Sequence, residues 1–126
     1  METGTILIYL CGVYSIGFAV FHMYFWKLFR WKKDLQQLSH ANRAIVQIAN
    51  IRLIYFFIFV GVLCFLFPSE LMETTLGNFF LAGMSLFWLG RTIEQFIFLK
   101  INHKMVHILS VIFILGIVLY ALPIFI

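Results

Sequence analysis

Residues 44–67 read AIVQIANIRLIYFFIFVGVLCFLF, from Ala44 to Phe67, and the fold turns on this run. A helix of that length rises roughly 36 Å, more than the ~30 Å hydrocarbon core of a bilayer. Its strongly polar residues, Gln47, Asn50 and Arg52, all lie in the first half. The run lacks the apolar/polar alternation that barrel strands show over about ten residues. It therefore reads as a transmembrane helix. Three more segments read the same way: Ile6 to Trp26, Leu76 to Leu99 and Met105 to Ile126.

Composition points the same way. Of 126 residues, 63% are apolar and only 11% charged, where soluble domains average roughly 45–50% and about 25%. With a mean hydropathy of +1.03, so few charges could not cover so much hydrocarbon in water. Soluble, disordered and fibrous classes are excluded. The expectation is one all-α integral membrane domain over residues 1–126, built as a four-helix bundle. The opening Met-Glu-Thr-Gly has no positive region or cleavage site of a signal peptide, so the first segment is expected to stay in the mature protein.

The loops set orientation. The first carries Lys27, Arg30, Lys32 and Lys33, with Arg43 just beyond, and the third carries Lys100 and Lys104. The second, Pro68 to Thr75, has Glu70 and Glu73 and no base. Positive-inside counting places the first and third loops in the cytoplasm and both termini outside, in the inner (plasma) membrane of a bacterium. The net charge of +4 is thus a matter of topology, and no nucleic-acid partner is expected. Within residues 27–41, Leu28, Trp31, Leu35 and Leu38 recur at spacings of three and four among polar residues, which predicts an amphipathic helix at the inner surface, its bases at acidic lipid headgroups. Ser39 or Asn42 should cap the second span and Thr74 or Thr75 the third, with Pro68 and Ser69 closing the second and beginning the outer turn. Cys11 and Cys64 stand in apolar runs far apart in sequence and read as small buried hydrophobes.

The polar residues inside the spans carry the functional information. Counted at about 1.5 Å per residue from the inner ends, His107, Gln47, His22, Glu94, Asn50, Arg52 and Arg91 lie between roughly 5 and 14 Å deep, all in the cytoplasmic half. Arg43, Gln47 and Asn50 share one helix face, Arg52 points about 180° away from Arg43, and Arg91, Glu94 and Gln95 share a face of the third helix. An ionised group at such depth costs about 2.5–3.5 kcal/mol on insertion scales, so these groups should be paired or line a wet cavity. Two readings follow. Glu94 neutralises an arginine while the amides hold helices together, or Arg43, Gln47, Asn50, Arg52, Arg91, Glu94 and Gln95 line a cationic pocket for an anionic or amphipathic small molecule or a lipid. The sequence requires no metal or other cofactor. His103 and His107, four apart, with His22 from the first helix, are the residues that could ligate zinc, iron or haem.

The run Arg43-Ala44-Ile45-Val46-Gln47-Ile48-Ala49-Asn50 resembles the Arg-Ala-x-x-Asn-x-x-Glu stretch that opens the second helix in the membrane-associated eicosanoid and glutathione metabolism family, and Gly90-Arg91 resembles that family's third-helix arginine. Gln47 stands where the family has Asn, and Asn50 where it has Glu. The resemblance implies a glutathione-dependent membrane enzyme, a homotrimer with glutathione at subunit interfaces held by Arg43, Gln47, Asn50 and Arg91. Other classes stay open: a non-catalytic subunit of a larger membrane complex, or a haem or metal carrier. Nucleophilic-triad, P-loop and dinucleotide motifs are absent, and no motif names a reaction.

Overall fold

The structure, a computed structural model, describes residues 3–99 and 101–126, and every regular element among them is helical. Met1, Glu2 and the expected inner-loop base Lys100 lie outside the described residues. In chain order the elements are α1 (Thr3–Met23), α2 (Phe25–Leu28), α3 (Trp31–Asp34), a 3-10 turn (Leu35–Gln37), α4 (His40–Leu66), α5 (Pro68–Glu73), α6 (Thr75–Phe98) and α7 (Lys104–Phe125). The four long helices match the four expected segments to within a few residues. Three of them, α1, α4 and α7, are long and apolar enough to cross a membrane. With 24 residues, α6 has the length, but Asn78, Arg91, Thr92, Glu94 and Gln95 dilute its hydropathy.

Local chemistry sets the helix ends. Ser39 Oγ accepts the Asn42 N–H at 3.2 Å, capping α4, and Thr74 Oγ1 accepts the Gly77 N–H at 2.9 Å, capping α6. These side chains satisfy orphan donors of a first turn. Two expectations are corrected here. The linker is not one amphipathic helix: it breaks at Arg30, whose φ of 52° is left-handed, into α2, α3 and the 3-10 turn. Pro68 does not open a plain turn either. It occupies the first position of α5, where its fixed φ and missing N–H suit a helix start.

The helices form two compact units. One, residues 12–63, joins the second half of α1 to the linker and most of α4. Its core packs the rings of Phe18 and His22 at a tilt against Phe57, at 5.8 and 5.2 Å between ring centroids. A Cβ added to Gly61 would lie 2.6 Å from Ile16, so the absence of a side chain there permits close packing.

The other unit joins residues 3–11 to residues 64–99 and 101–126. Its centre is the α6–α7 hairpin, where Trp88, 1% exposed, stacks on Phe113 at 5.6 Å. The Ser85 hydroxyl donates to Ile117 O at 2.8 Å. The start of α1 joins α7 through two reciprocal bonds, Cys11 Sγ to Leu119 O and Tyr120 Oη to Cys11 O. Both cysteines are buried and free, as small hydrophobes.

Candidate functional site

The polar face expected on α4 is occupied by its own chain. Arg43 donates from Nε to Leu35 O at 3.0 Å and from Nη2 to Leu38 O at 3.2 Å, tying the 3-10 turn to the start of α4. One turn on, Gln47 accepts the Trp26 indole N–H at 2.9 Å and donates to Arg43 O at 3.2 Å. Asn50, 3% exposed, donates to His22 O at 2.9 Å in the last turn of α1, where helical carbonyls run out of intrahelical partners. Arg43, Gln47 and Asn50 are thus brought together as a clasp on carbonyls and an indole. These are three of the residues that the family resemblance assigns to glutathione. Arg52 stands apart as its angular offset requires, exposed, its guanidinium 5.6 Å from the Tyr55 ring centroid.

The clasp makes a stability prediction. Asn50→Leu removes the amide that donates to the His22 carbonyl, and we expect a loss of about 1 kcal/mol, near the ~0.6 average and within the ~1–2 upper range of interhelical bonds in membranes. Equilibrium unfolding in mixed micelles measures it. An unchanged midpoint would show that the carbonyl has other support.

The α6 residues divide in a way that their shared sequence neighbourhood does not reveal. Arg91 is half-buried, its guanidinium 4.7 Å from the Phe113 ring centroid, a cation–π contact that gains strength where water is excluded. Glu94 is exposed. Gln95 is 1% exposed; its Nε2 donates to Val106 O at 3.3 Å, while its Oε1 is buried with no hydrogen-bond partner. An unsatisfied buried acceptor forfeits about 1–3 kcal/mol, so this oxygen needs an explanation.

Beside it lies a half-open groove of about 300 Å³, walled by Gln95, Phe96, Leu99, Ile101, Asn102, Val106, His107 and Ser110. It sits where the end of α6 turns into α7. The aromatic and aliphatic walls suit a hydrocarbon surface, and the amides, hydroxyl and imidazole gather at one end of the hairpin.

The histidines do other work than a metal would ask of them. His103 is not on the helix with His107: it precedes α7 in extended conformation and its Nδ1 accepts the Met105 N–H at 3.1 Å. The i, i+4 alignment therefore does not form. His107 Nε2 meets Asn102 Oδ1 at 2.8 Å. In the other unit, His22 Nδ1 lies 2.7 Å from Phe18 O and its ring stacks on Phe25. Among the described residues no three His, Cys, Asp or Glu side chains are grouped to hold a metal ion.

No family model, curated protein or solved structure matches the chain. The site therefore rests on its own geometry. Sequence reading reached Gln95 and His107 but passed over Trp26, Asn102 and Ser110. Asn102 lies outside the spans, and Ser110 is one small hydroxyl in an apolar run. Only the α6–α7 turn brings Asn102 and Ser110 together with Gln95 and His107.

Proposed function

We propose that this chain is a four-helix membrane protein, α6 being the fourth span, with both termini outside and its basic linker at the cytoplasmic face, which binds an amphipathic molecule in the α6–α7 groove. The loop charges support the topology: Lys27, Arg30, Lys32 and Lys33 precede α4, Lys104 opens α7, and only acids, Glu70 and Glu73, lie between α4 and α6. The groove then opens near the inner interface, where a ligand can place its chain on Phe96, Leu99 and Ile101 and its head in the polar end.

One observation carries the reading: Gln95, whose buried Oε1 has no donor, stands in the wall of an open groove. A hydroxyl or amine N–H presented from the groove satisfies that oxygen once the amide turns toward it. Arg91, one turn along α6 on the same face, adds positive potential, so an anionic head is favoured over a cationic one. The molecule expected is a lipid or lipid-like amphiphile with a hydrogen-bond donor in its headgroup.

The test is native mass spectrometry of protein released from gentle detergent. Wild type is expected to carry an adduct of lipid mass, and Gln95→Leu to lose it by at least about tenfold in occupancy. The variant should nevertheless be as stable as wild type or more so, because it deletes an unsatisfied polar group. Equal adduct occupancy in both proteins, or none in either, would overturn the proposal.

A further inference from the structure

We infer that the linker between α1 and α4 holds one phosphomonoester group, as carried by a phosphatidic acid headgroup or by a soluble glycerol phosphate, against Arg30, Lys32, Lys33 and Gln36. These four residues line a shallow basin of about 290 Å³. All are exposed and all fall within residues 30–36 of one compact unit, so the local path of the chain makes the basin. Among the described residues none of the four side chains makes a hydrogen bond or an ion pair. The neighbouring acid, Asp34, is exposed on α3 and does not line the basin. Even set against one base, it leaves two of the three positive charges uncompensated.

The break in the linker is what gathers these groups. On an uninterrupted helix Arg30 would stand about 160° around the axis from Lys32. With φ at 52°, Arg30 is left-handed, and its side chain lines the same basin as Lys32 and Lys33. Glycine or asparagine fits such a backbone better, so conformational preference does not place an arginine here. The turn is firmly held. Arg30 O accepts the N–H groups of Lys33 and Asp34, both at 3.0 Å. Trp31 packs edge-on against Phe25 and Trp26, at 5.7 and 5.4 Å between centroids. Beyond the basin, Arg43 ties Leu35 O and Leu38 O to the start of α4. The backbone that carries the three bases is thus fixed, and a bound dianion relieves their mutual repulsion.

The donor set selects the ligand. A guanidinium offers a planar fork that meets two phosphate oxygens at once, lysines supply point charges, and the Gln36 amide adds an N–H. A phosphodiester carries one negative charge. A monoester carries about −1.5 to −2 at neutral pH and three terminal oxygens, which three bases and an amide match. The position favours a lipid source. Both α1 and α4 are long and apolar enough to cross a membrane, so the linker that joins them lies at a membrane surface whichever way the chain is oriented. Trp31, between Arg30 and Lys32, and Trp26, edge-on to it, are of the residue type that settles at headgroup level.

The test titrates the full chain in neutral detergent with phosphatidic acid, phosphatidylglycerol of the same acyl chains and glycerol 3-phosphate, counting bound ligand by native mass spectrometry. One phosphatidic acid per chain is expected, held at least about fivefold more tightly than the diester phosphatidylglycerol. Tighter binding of phosphatidic acid than of glycerol 3-phosphate marks the lipid as the source, and equal binding marks the soluble phosphate; both support the site. No binding of either monoester, or phosphatidylglycerol bound as tightly as phosphatidic acid, overturns it in favour of a diffuse basic surface. Arg30→Gly removes the guanidinium and suits the left-handed backbone, so binding should fall at least about tenfold while the unfolding midpoint holds or rises. Lys27→Gln removes the same charge outside the basin and should weaken binding at most about threefold; equal losses in the two variants would overturn the site. If Arg30→Gly disturbs the linker, as hydrogen exchange in residues 25–38 reveals, the double change Lys32→Gln and Lys33→Gln leaves the turn intact. It should also lower binding at least about tenfold, and unchanged binding there overturns the site. Gln95→Leu should have no effect on this binding. A phosphate ligand lost in Gln95→Leu and kept in Arg30→Gly belongs to the α6–α7 groove, which refutes the linker site and leaves the groove standing.

Discussion

Trp88→Ala should destabilise the protein by about 3 kcal/mol. Large aromatic-to-alanine changes in soluble cores cost about 3–5 kcal/mol, part transfer of the ring out of water and part the cavity left behind. In a bilayer the transfer part shrinks, since separated helices still keep an indole in lipid or at its interface. The cavity part remains. Trp88 is 1% exposed, stacked on Phe113 at 5.6 Å and met edge-on by Phe87, and its neighbours are helix-borne rings that cannot collapse into the space. Arg91 rests on the same Phe113 ring, so the loss extends to a cation–π contact worth about 0.5–2 kcal/mol. Equilibrium unfolding in mixed micelles gives the value. Trp88→Phe should recover most of it, and a loss below about 1 kcal/mol in the alanine variant would contradict the α6–α7 packing.

The second large effect is a change of sign between two glycines. Alanine is favoured over glycine in a helix interior by up to about 1 kcal/mol. At Gly17, where an added Cβ meets nothing within 4 Å, Gly17→Ala should keep this gain. At Gly77 the added Cβ would overlap Glu70 O, Leu71 Cα and Leu71 O. These are backbone atoms of α5, which move only as a whole helix. Overpacking of that kind costs about 1–3 kcal/mol, so Gly77→Ala should be destabilising despite its better propensity. It should also raise hydrogen exchange in residues 68–74 as α5 lifts from α6. A stabilised Gly77→Ala protein with unchanged exchange would show that α5 does not pack there.

The ends of the long helices were legible because their causes are local. Ser39 and Thr74 cap through the N–H three residues on, Pro68 suits a first helical position, and a run such as residues 44–67 declares itself by length and hydropathy alone. Composition was equally decisive, since no packing arrangement makes this chain's surface polar. The periodicity of Leu28, Trp31, Leu35 and Leu38 misled, because it carries no information about the left-handed Arg30 that interrupts the helix. Spacing likewise put His103 and His107 on one face, but the face exists only if both residues are helical, and His103 is the cap.

Tertiary structure alone decided what the polar residues do. Glu94 and Gln95 are sequence neighbours about 100° apart, and nothing in their order says that the amide is buried against α7 while the carboxylate is exposed. In water the polar side of a helix marks its outside. In lipid the surroundings are as apolar as the packed interior, so hydrophobic patterning loses that cue and the buried face follows from where the other helices lie. Arg43, Gln47 and Asn50 looked equally ready for a ligand or for a neighbouring helix. Their assignment to Leu35, Leu38, Trp26 and His22 depended on how the linker folds back, because a hydrogen bond between residues 21 or 28 positions apart is set by the path of the chain and not by the chemistry of either partner.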